Sequence, residues 1–314
     1  MAVQWFPGHM HLTRKAIGER VKAIDVVIEM LDARLPGSSA NPMLAELTQG
    51  KPTLKVLNKQ DLADPVCTAL WLAHYNAQAQ TRALALDASM AAPAKALIDA
   101  CRTLAPTRGG MVKPMRVLIC GIPNVGKSTL INTLTGRRAA KTGDEAGVTK
   151  LEQRITLAPD FYLYDTPGLL WPRIIVAASG YNLAASGAVG RNAFDEQEVA
   201  LELVAYLRDH YPQALQQRYK IAEVVAQKEE LLLETIGRQR GALSSGKHVN
   251  WQKAAEIVIY DFRAAAMGRL TLERPDEFAI WWAEGERLDA VRQIKKDAIA
   301  LDRKIRFKQI PRPE

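Results

Sequence analysis

The chain has 314 residues, 48% hydrophobic and 24% charged, a balance that can bury proper cores and excludes a largely disordered protein. No apolar run reaches the roughly 18 residues a membrane helix needs, and three cysteines are an odd number without metal-ligand spacing, so neither a membrane span, a zinc site nor a disulfide framework is expected. The net charge of +8 suits a polyanionic partner without specifying which.

In chain order, residues 10–22 read as a basic amphipathic helix with Leu12, Ala16 and Val21 turned inward, and a strand follows over 23–31. The stretch Asp32-Ala33-Arg34-Leu35-Pro36-Gly37 reads as a loop. A short helix around Pro42–Leu47 leads to a second strand, Thr53–Leu57, which ends directly in Asn58-Lys59-Gln60-Asp61. A helix near Pro65–Tyr75, a third strand over Arg82–Leu86, the turn Asp87-Ala88-Ser89 and a helix over 91–105 come next, then the polar linker 106–110.

Met115–Cys120 is an apolar run of strand length, and Thr129–Leu134 has helical spacing. Between them stands Gly121-Ile122-Pro123-Asn124-Val125-Gly126-Lys127-Ser128, a phosphate-binding loop in the strand-loop-helix setting it requires. Its chemistry follows from its residues. The backbone N–H groups of Asn124 to Thr129 can turn toward an anion at a helix N-terminus, Lys127 adds a fixed cation near the β- and γ-phosphates, and the Ser128 hydroxyl is placed for Mg²⁺.

After it, residues 137–149 form a polar segment ending in Gly147-Val148-Thr149, with Thr149 expected as a second Mg²⁺ ligand. Strands at 152–157 and 161–164 follow, the second running into Asp165-Thr166-Pro167-Gly168. Asp165 can hold Mg²⁺ through water, and the Gly168 N–H can meet a γ-phosphate. Strands alternating with helices around a phosphate loop predict an α/β fold with a mainly parallel sheet and the ligand at the strand C-termini. Beyond about residue 172 only helical spacing appears, over 196–210, 224–238, 250–268 and 276–306, which predicts an all-α second domain. The expected division is 1–175 and 176–314. The tail carries Arg303, Lys304, Arg306, Lys308 and Arg312 with no acid until Glu314, a pattern that a polyanion-binding segment and a solvated tail fit equally.

Asn58-Lys59-Gln60-Asp61 at a strand end has a meaning beside a phosphate loop. Asp61 can accept from N1–H and the exocyclic amine of guanine, a pair adenine lacks, while Asn58 reads O6 or N7 and the Lys59 stem covers the ring. In most GTPases this base reader follows the phosphate loop; here it precedes it.

The whole pattern resembles the circularly permuted GTPases. Trp5-Phe6-Pro7-Gly8-His9-Met10, Asp32-Ala33-Arg34, Gly180-Tyr181-Asn182-Leu183-Ala184, Asp261-Phe262-Arg263 and Gly268-Arg269-Leu270-Thr271-Leu272-Glu273 are similar to the ribosome biogenesis GTPase A family over nearly the whole chain. Two departures are Ala146 in place of proline before Gly-Val-Thr, and a loose second base-contacting motif at Ser89.

The resemblance implies a circularly permuted phosphate-loop GTPase using GTP/GDP and Mg²⁺, with K⁺ as a further candidate held by Asn124. It implies an assembly factor that binds the immature large (50S) ribosomal subunit and leaves after hydrolysis, cytoplasmic and monomeric off the ribosome, with no DNA or membrane partner. Leu169 stands where many GTPases place a water-orienting glutamine, so catalytic help must come from elsewhere, and the resemblance supports His9. The competing class is a GTP-gated RNA- or protein-binding module with slow hydrolysis acting outside ribosome assembly.

Overall fold

The computed structural model describes residues 3–87, 93–136 and 153–308, with side chains as far as residue 300. Its centre is one six-stranded sheet, built from β1 (Val26–Asp32), β2 (Thr53–Asn58), β3 (Thr81–Ala85), β4 (Met115–Gly121), β5 (Gln153–Ala158) and β6 (Phe161–Asp165) in the order β3-β2-β1-β4-β6-β5. Every neighbouring pair is parallel except β5 against β6. All seven residues of β1 are buried, which is why a central parallel strand covered on both faces reads as a continuous apolar run instead of an alternation. Glu29 within it is matched by the Lys55 ammonium of β2 and by the Asn41 N–H at 2.9 Å.

Register brings the chemistry together. Asp32 lies beside Asn58, Met30 beside Gly121, and Ile119 beside Asp165. Four strands therefore end at one edge, carrying the Asn58–Asp61 loop, the phosphate loop and the Asp165 turn, which together span more than a hundred residues of chain.

The helices before residue 140 are α1 (His9–Arg20), α2 (Pro36–Ser39), α3 (Pro42–Leu47), α4 (Pro65–Asn76), α5 (Ala94–Leu104) and α6 (Lys127–Thr135). After the sheet come α7 (Ala177–Ser186), α8 (Glu196–His210), α9 (Pro212–Tyr219), α10 (Glu229–Gln239), α11 (Trp251–Arg263) and α12 (Pro275–Lys308). The apolar core runs without a break from the sheet, with Ile119, Leu130 and Leu163, into this helical part, with Leu183, Leu203 and Phe262.

Several expectations are corrected. The buried face of α1 is Met10, Thr13 and Ile17, continued by Val21, while Leu12 is 73% exposed and Ala16 is exposed. At 100° per residue Leu12 lies about 200° from Met10, so choosing Leu12 as the anchor turned the helix to the wrong side. Residues 21–23 form a 3₁₀ turn, and β1 starts at Val26. The expected loop after β1 contains α2, opened by Pro36 at its first position. Helix α10 starts at Glu229 instead of residue 224. Helix α7 carries no periodic signal that sequence reading could use, and α9, opened by Pro212 with Leu215 and Tyr219 buried, is only eight residues long. In α7 Ser179, Gly180, Leu183, Ala184, Ala185 and Ser186 are all buried, so the polar face that reveals an amphipathic helix is missing.

Candidate functional site

The phosphate loop leaves β4 at Gly121 and enters α6 at Lys127. Two of its residues have left-handed backbone, Asn124 (φ 56°) and Gly126 (φ 93°). At Gly126 a Cβ would lie 2.3 Å from the Asn58 amide nitrogen, so this position requires glycine both for its conformation and for the close approach of the base-reading loop. Asn58, 1% exposed, donates through Nδ2 to the Val125 carbonyl at 2.8 Å. Lys59, itself left-handed, donates through Nζ to the Asn124 carbonyl at 2.8 Å and to Asp32 Oδ2 at 2.9 Å. The two loops are thus fastened to one another as one unit, although 63 residues separate Asp61 from Asn124.

Asp32 anchors that unit. Its carboxylate accepts from the Arg34 backbone N–H at 3.0 Å, from Nε at 2.9 Å and from Nη2 at 2.7 Å, as well as from Lys59. Burial by itself would raise the Asp32 carboxyl, but the two cations outweigh it and hold the group far below the usual carboxylate range. Burial pulls the Lys59 ammonium down, with Asp32 opposing. The Arg34 guanidinium stacks over the Phe262 ring at 4.9 Å.

Lys127 and Asp165 form a buried ion pair at 2.6 Å, 6% and 1% exposed. Asp165 Oδ2 is buried with no hydrogen-bond partner among the described residues. Burial pushes this carboxyl up, and Lys127 opposes it. A buried carboxylate oxygen with spare lone pairs, on the residue paired with Lys127, and the half-buried hydroxyl of Ser128, next to Lys127 in the chain, are oxygen donors of the kind a hydrated Mg²⁺ ion takes, so the donor set fits that ion. Gly168 packs against the loop from the other side, where a Cβ would meet Pro123 Cα at 2.9 Å, and the next residue ties back through the Leu169 N–H to the Gly121 carbonyl at 3.0 Å. Leu169 is fully buried.

The remaining expected site residues divide. Asp61 and Thr129 are exposed at the site's edge, Asp61 in a 3₁₀ turn over Gln60–Leu62. His9 is exposed at the start of α1. Trp5, four residues before it, lies with its indole nitrogen 3.0 Å from where a Gly190 Cβ would be, so the amino-terminal stretch packs on the segment that follows α7. Gly187 of that segment accepts from Asn124 Nδ2 at 2.8 Å. Ser89 and Thr149 lie outside the described residues.

One part of the site gives only a weak signal in local sequence. The irregular stretch Arg269–Glu273 lies over the Asn58–Asp61 loop: Arg269 donates to the Gln60 and Ala63 carbonyls at 2.8 Å each, Thr271 Oγ accepts from the Asp64 N–H at 3.1 Å, and the Leu272 N–H meets the Arg34 carbonyl at 2.7 Å. Its alternation of polar Arg269, Thr271 and Glu273 with Leu270 and Leu272, inside an otherwise helical region, is the one hint the sequence offers.

Residues 116–236 match the family described as 50S ribosome-binding GTPase. Ribosome biogenesis GTPase A of Bacillus cereus is 39% identical over 303 residues, which cover 94% of this chain and 100% of the relative. The chain belongs to the ribosome biogenesis GTPase A family. This GTPase is also similar to the protein of the same name from Priestia megaterium, 41% identical over 285 residues, 88% of this chain and 98% of the relative. GNP-bound YlqF from T. maritima shares the fold, with a TM-score of 0.58 at 24% identity over 84% of this chain and 98% of that one. GTP hydrolysis is the activity of the family, and guanine nucleotide binding goes with that activity.

The far end of the Arg269–Glu273 stretch carries a testable titration. The fully buried Glu273 carboxylate accepts from the Ser38 N–H at 2.7 Å, from the Ser38 hydroxyl and from Asn182 Nδ2 at 3.2 Å. Burial pushes it from 4.5 up to about 7, against the pull of these donors. A carboxyl raised on folding binds its proton more tightly in the native than in the unfolded chain, so its contribution is present below about pH 4.5 and is lost as pH rises to about 7. The full loss corresponds to about 3 kcal/mol. Urea midpoints of the wild type should fall more steeply between pH 5 and 7 than those of Glu273→Gln; equal slopes would show that Glu273 ionises normally.

Proposed function

We propose that this GTPase binds the immature large ribosomal subunit, promotes its late maturation and is released after hydrolysis. Residues 1–175 would handle the nucleotide, and residues 176–314, with the basic tail, would face rRNA, whose phosphates attract Lys and Arg and whose shape is read by surface geometry. The observation that carries this reading is the docking of the carboxy-terminal half onto both nucleotide loops, at Asn124 through Gly187 and at Gln60 and Ala63 through Arg269. A change at either loop on hydrolysis would be felt directly by the helices. The names of the relatives and of the matched family support a ribosomal partner. No helix among the described residues is long and apolar enough to cross a membrane, and the proposed setting is a cytoplasmic monomer that joins the ribosome.

In the nucleotide site, Asn58, Lys59 and Asp61 would select guanine, with Ser89 as a further base contact. Backbone N–H groups of Asn124, Val125, Gly126, Lys127, Ser128 and Thr129 would hold the phosphates, and Gly168 would meet the terminal one. Ser128, Thr149 and Asp165 would hold Mg²⁺, which neutralises charge on the phosphate oxygens when bound. Because Leu169 is buried and apolar, the proposed group that orients the attacking water is His9, with Asn124 supporting K⁺.

One set of sedimentation and turnover measurements tests this. Large subunits should carry the protein down with a non-hydrolysable GTP analogue and release it with GDP, and turnover should rise on the subunit and prefer K⁺ over Na⁺. In His9→Ala, binding should persist while most of the stimulated turnover is lost. Equal sedimentation with analogue, GDP and no nucleotide would favour a GTP-gated module that acts elsewhere.

A further inference from the structure

Asn124 is held from two sides. Its carbonyl accepts from Lys59 Nζ, and its side-chain amide donates to the carbonyl of Gly187, the left-handed residue (φ 86°) that ends α7. What fixes Gly187 is not in the sheet half of the protein. The guanidinium of Arg263, the last residue of α11, donates through Nε to the Ala185 carbonyl at 2.7 Å and through Nη2 to the Ala184 carbonyl at 2.8 Å. These are among the last carbonyls of α7, which a helix leaves without intrahelical partners. The same guanidinium lies against Gly187, its Cζ 3.5 Å from where a Cβ would be. The α7 turn closes on itself beneath it, with Gly187 N–H on the Ala184 carbonyl at 3.1 Å and Ala188 N–H on the Leu183 carbonyl at 2.9 Å.

We propose that Arg263 is a positioning residue for the nucleotide: by clamping the end of α7 it fixes the Gly187 carbonyl, which in turn holds Asn124 in the left-handed conformation the phosphate loop needs. Three features carry the inference. Asn124 has φ 56°, a conformation asparagine tolerates but shares with others, and the side-chain bond to Gly187 is a partner that selects it here. A planar guanidinium that bonds two successive carbonyls is a fork geometry that one rotating ammonium cannot reproduce. The neighbouring residues of α11 share the duty, since Phe262 lies under Arg34 of the Asp32 cluster, and Asp261 is locked by Arg218 at 2.7 Å and by Tyr219 at 3.0 Å, which fixes the end of α11 itself. The helical half therefore reaches the phosphate loop through a chain of direct contacts, and nucleotide affinity and helix docking are linked reciprocally.

The inference rests on the nucleotide site described above, and the test separates the two. Dissociation of a fluorescent GDP is followed by chase in the wild type, Arg263→Ala, Arg263→Lys, Asn124→Ala and the double variants, with a thermal melt of each. Arg263→Ala should speed release about fivefold or more in the wild-type background, and raise KM for GTP more than it lowers kcat. Arg263→Lys, which can meet one carbonyl, should fall between the two. In the Asn124→Ala background the same Arg263 substitutions should leave release unchanged, even where they lower the melting temperature equally in both backgrounds. A purely structural role predicts the reverse, equal fold-changes with and without Asn124, and that result would overturn the proposal. If Arg263→Ala does not fold, the Lys variant completes the same cycle. A wild-type chain that retained no GDP would overturn the nucleotide site and this proposal together.

Discussion

Lys127→Ala is expected to weaken GTP binding by a factor of a hundred or more and to lower stability by about 3 kcal/mol, two losses with separate causes. The first is the missing cation at the phosphates. The second arises because Lys127 is the ion-pair partner of Asp165, at 2.6 Å, and both are almost fully buried. Truncating the lysine leaves a buried carboxylate without that counter-charge, and its Oδ2 already has no partner among the described residues. A second substitution distinguishes them. Asp165→Asn added to Lys127→Ala removes the buried charge, so the melting temperature should largely recover while GTP binding stays lost. Calorimetric titration together with a melt of each variant checks this; full binding by Lys127→Ala would take away the anchor of the site.

Asp61→Asn should exchange guanine for xanthine preference, with GTP affinity falling about a hundredfold and xanthosine triphosphate gaining in proportion. Two hydrogen bonds to an ionised acceptor are worth about 3 kcal/mol together at the lower end of their range, which is about a hundredfold in Kd. The substituted amide can donate to the xanthine 2-oxo group but repels the guanine amine. The structure makes this a clean experiment, because Asp61 is exposed and its turn is held by its neighbours: Lys59 on Asp32 and Asn124, and Arg269 on the Gln60 and Ala63 carbonyls. Stability should therefore change by less than about 0.5 kcal/mol. Competition of both triphosphates against labelled GDP reads the switch, and an Asn variant that takes xanthosine nucleotide no better than the wild type would remove Asp61 from base recognition.

Both predictions were within reach of sequence reasoning, because each motif is encoded within a few consecutive residues. The glycines at 121 and 126 and the lysine at 127 specify a phosphate loop by backbone conformation and charge, and the short apolar run before them, bounded by Pro114 and Gly121, reads as a strand by its length and its flanks. The same holds for Asn58 to Asp61 at the end of β2, for the alternation of strands and helices that gives the mainly parallel sheet, and for the permuted order of the motifs along the chain.

Which residues meet across the chain was not legible. The Arg269 bond to Gln60 spans 209 positions, Ser38 to Glu273 spans 235, and Asn124 to Gly187 spans 63. Nothing in the local pattern around any of these residues selects its partner. The same reason explains the misread face of α1. Its inward side is chosen by the core it packs into, and Leu12 is as apolar in sequence as the buried Ile17. The hidden helix α7 and the raised carboxyl of Glu273 depend likewise on what surrounds them, since burial is a property of the assembled layers and not of a residue. The sequence by itself determined the two motif-bearing loops and the mainly parallel sheet that carries them. Only the tertiary structure decided that the helical half holds those loops in place, because packing brings Gly187, Arg263 and Arg269 to an edge of the sheet that none of them belongs to.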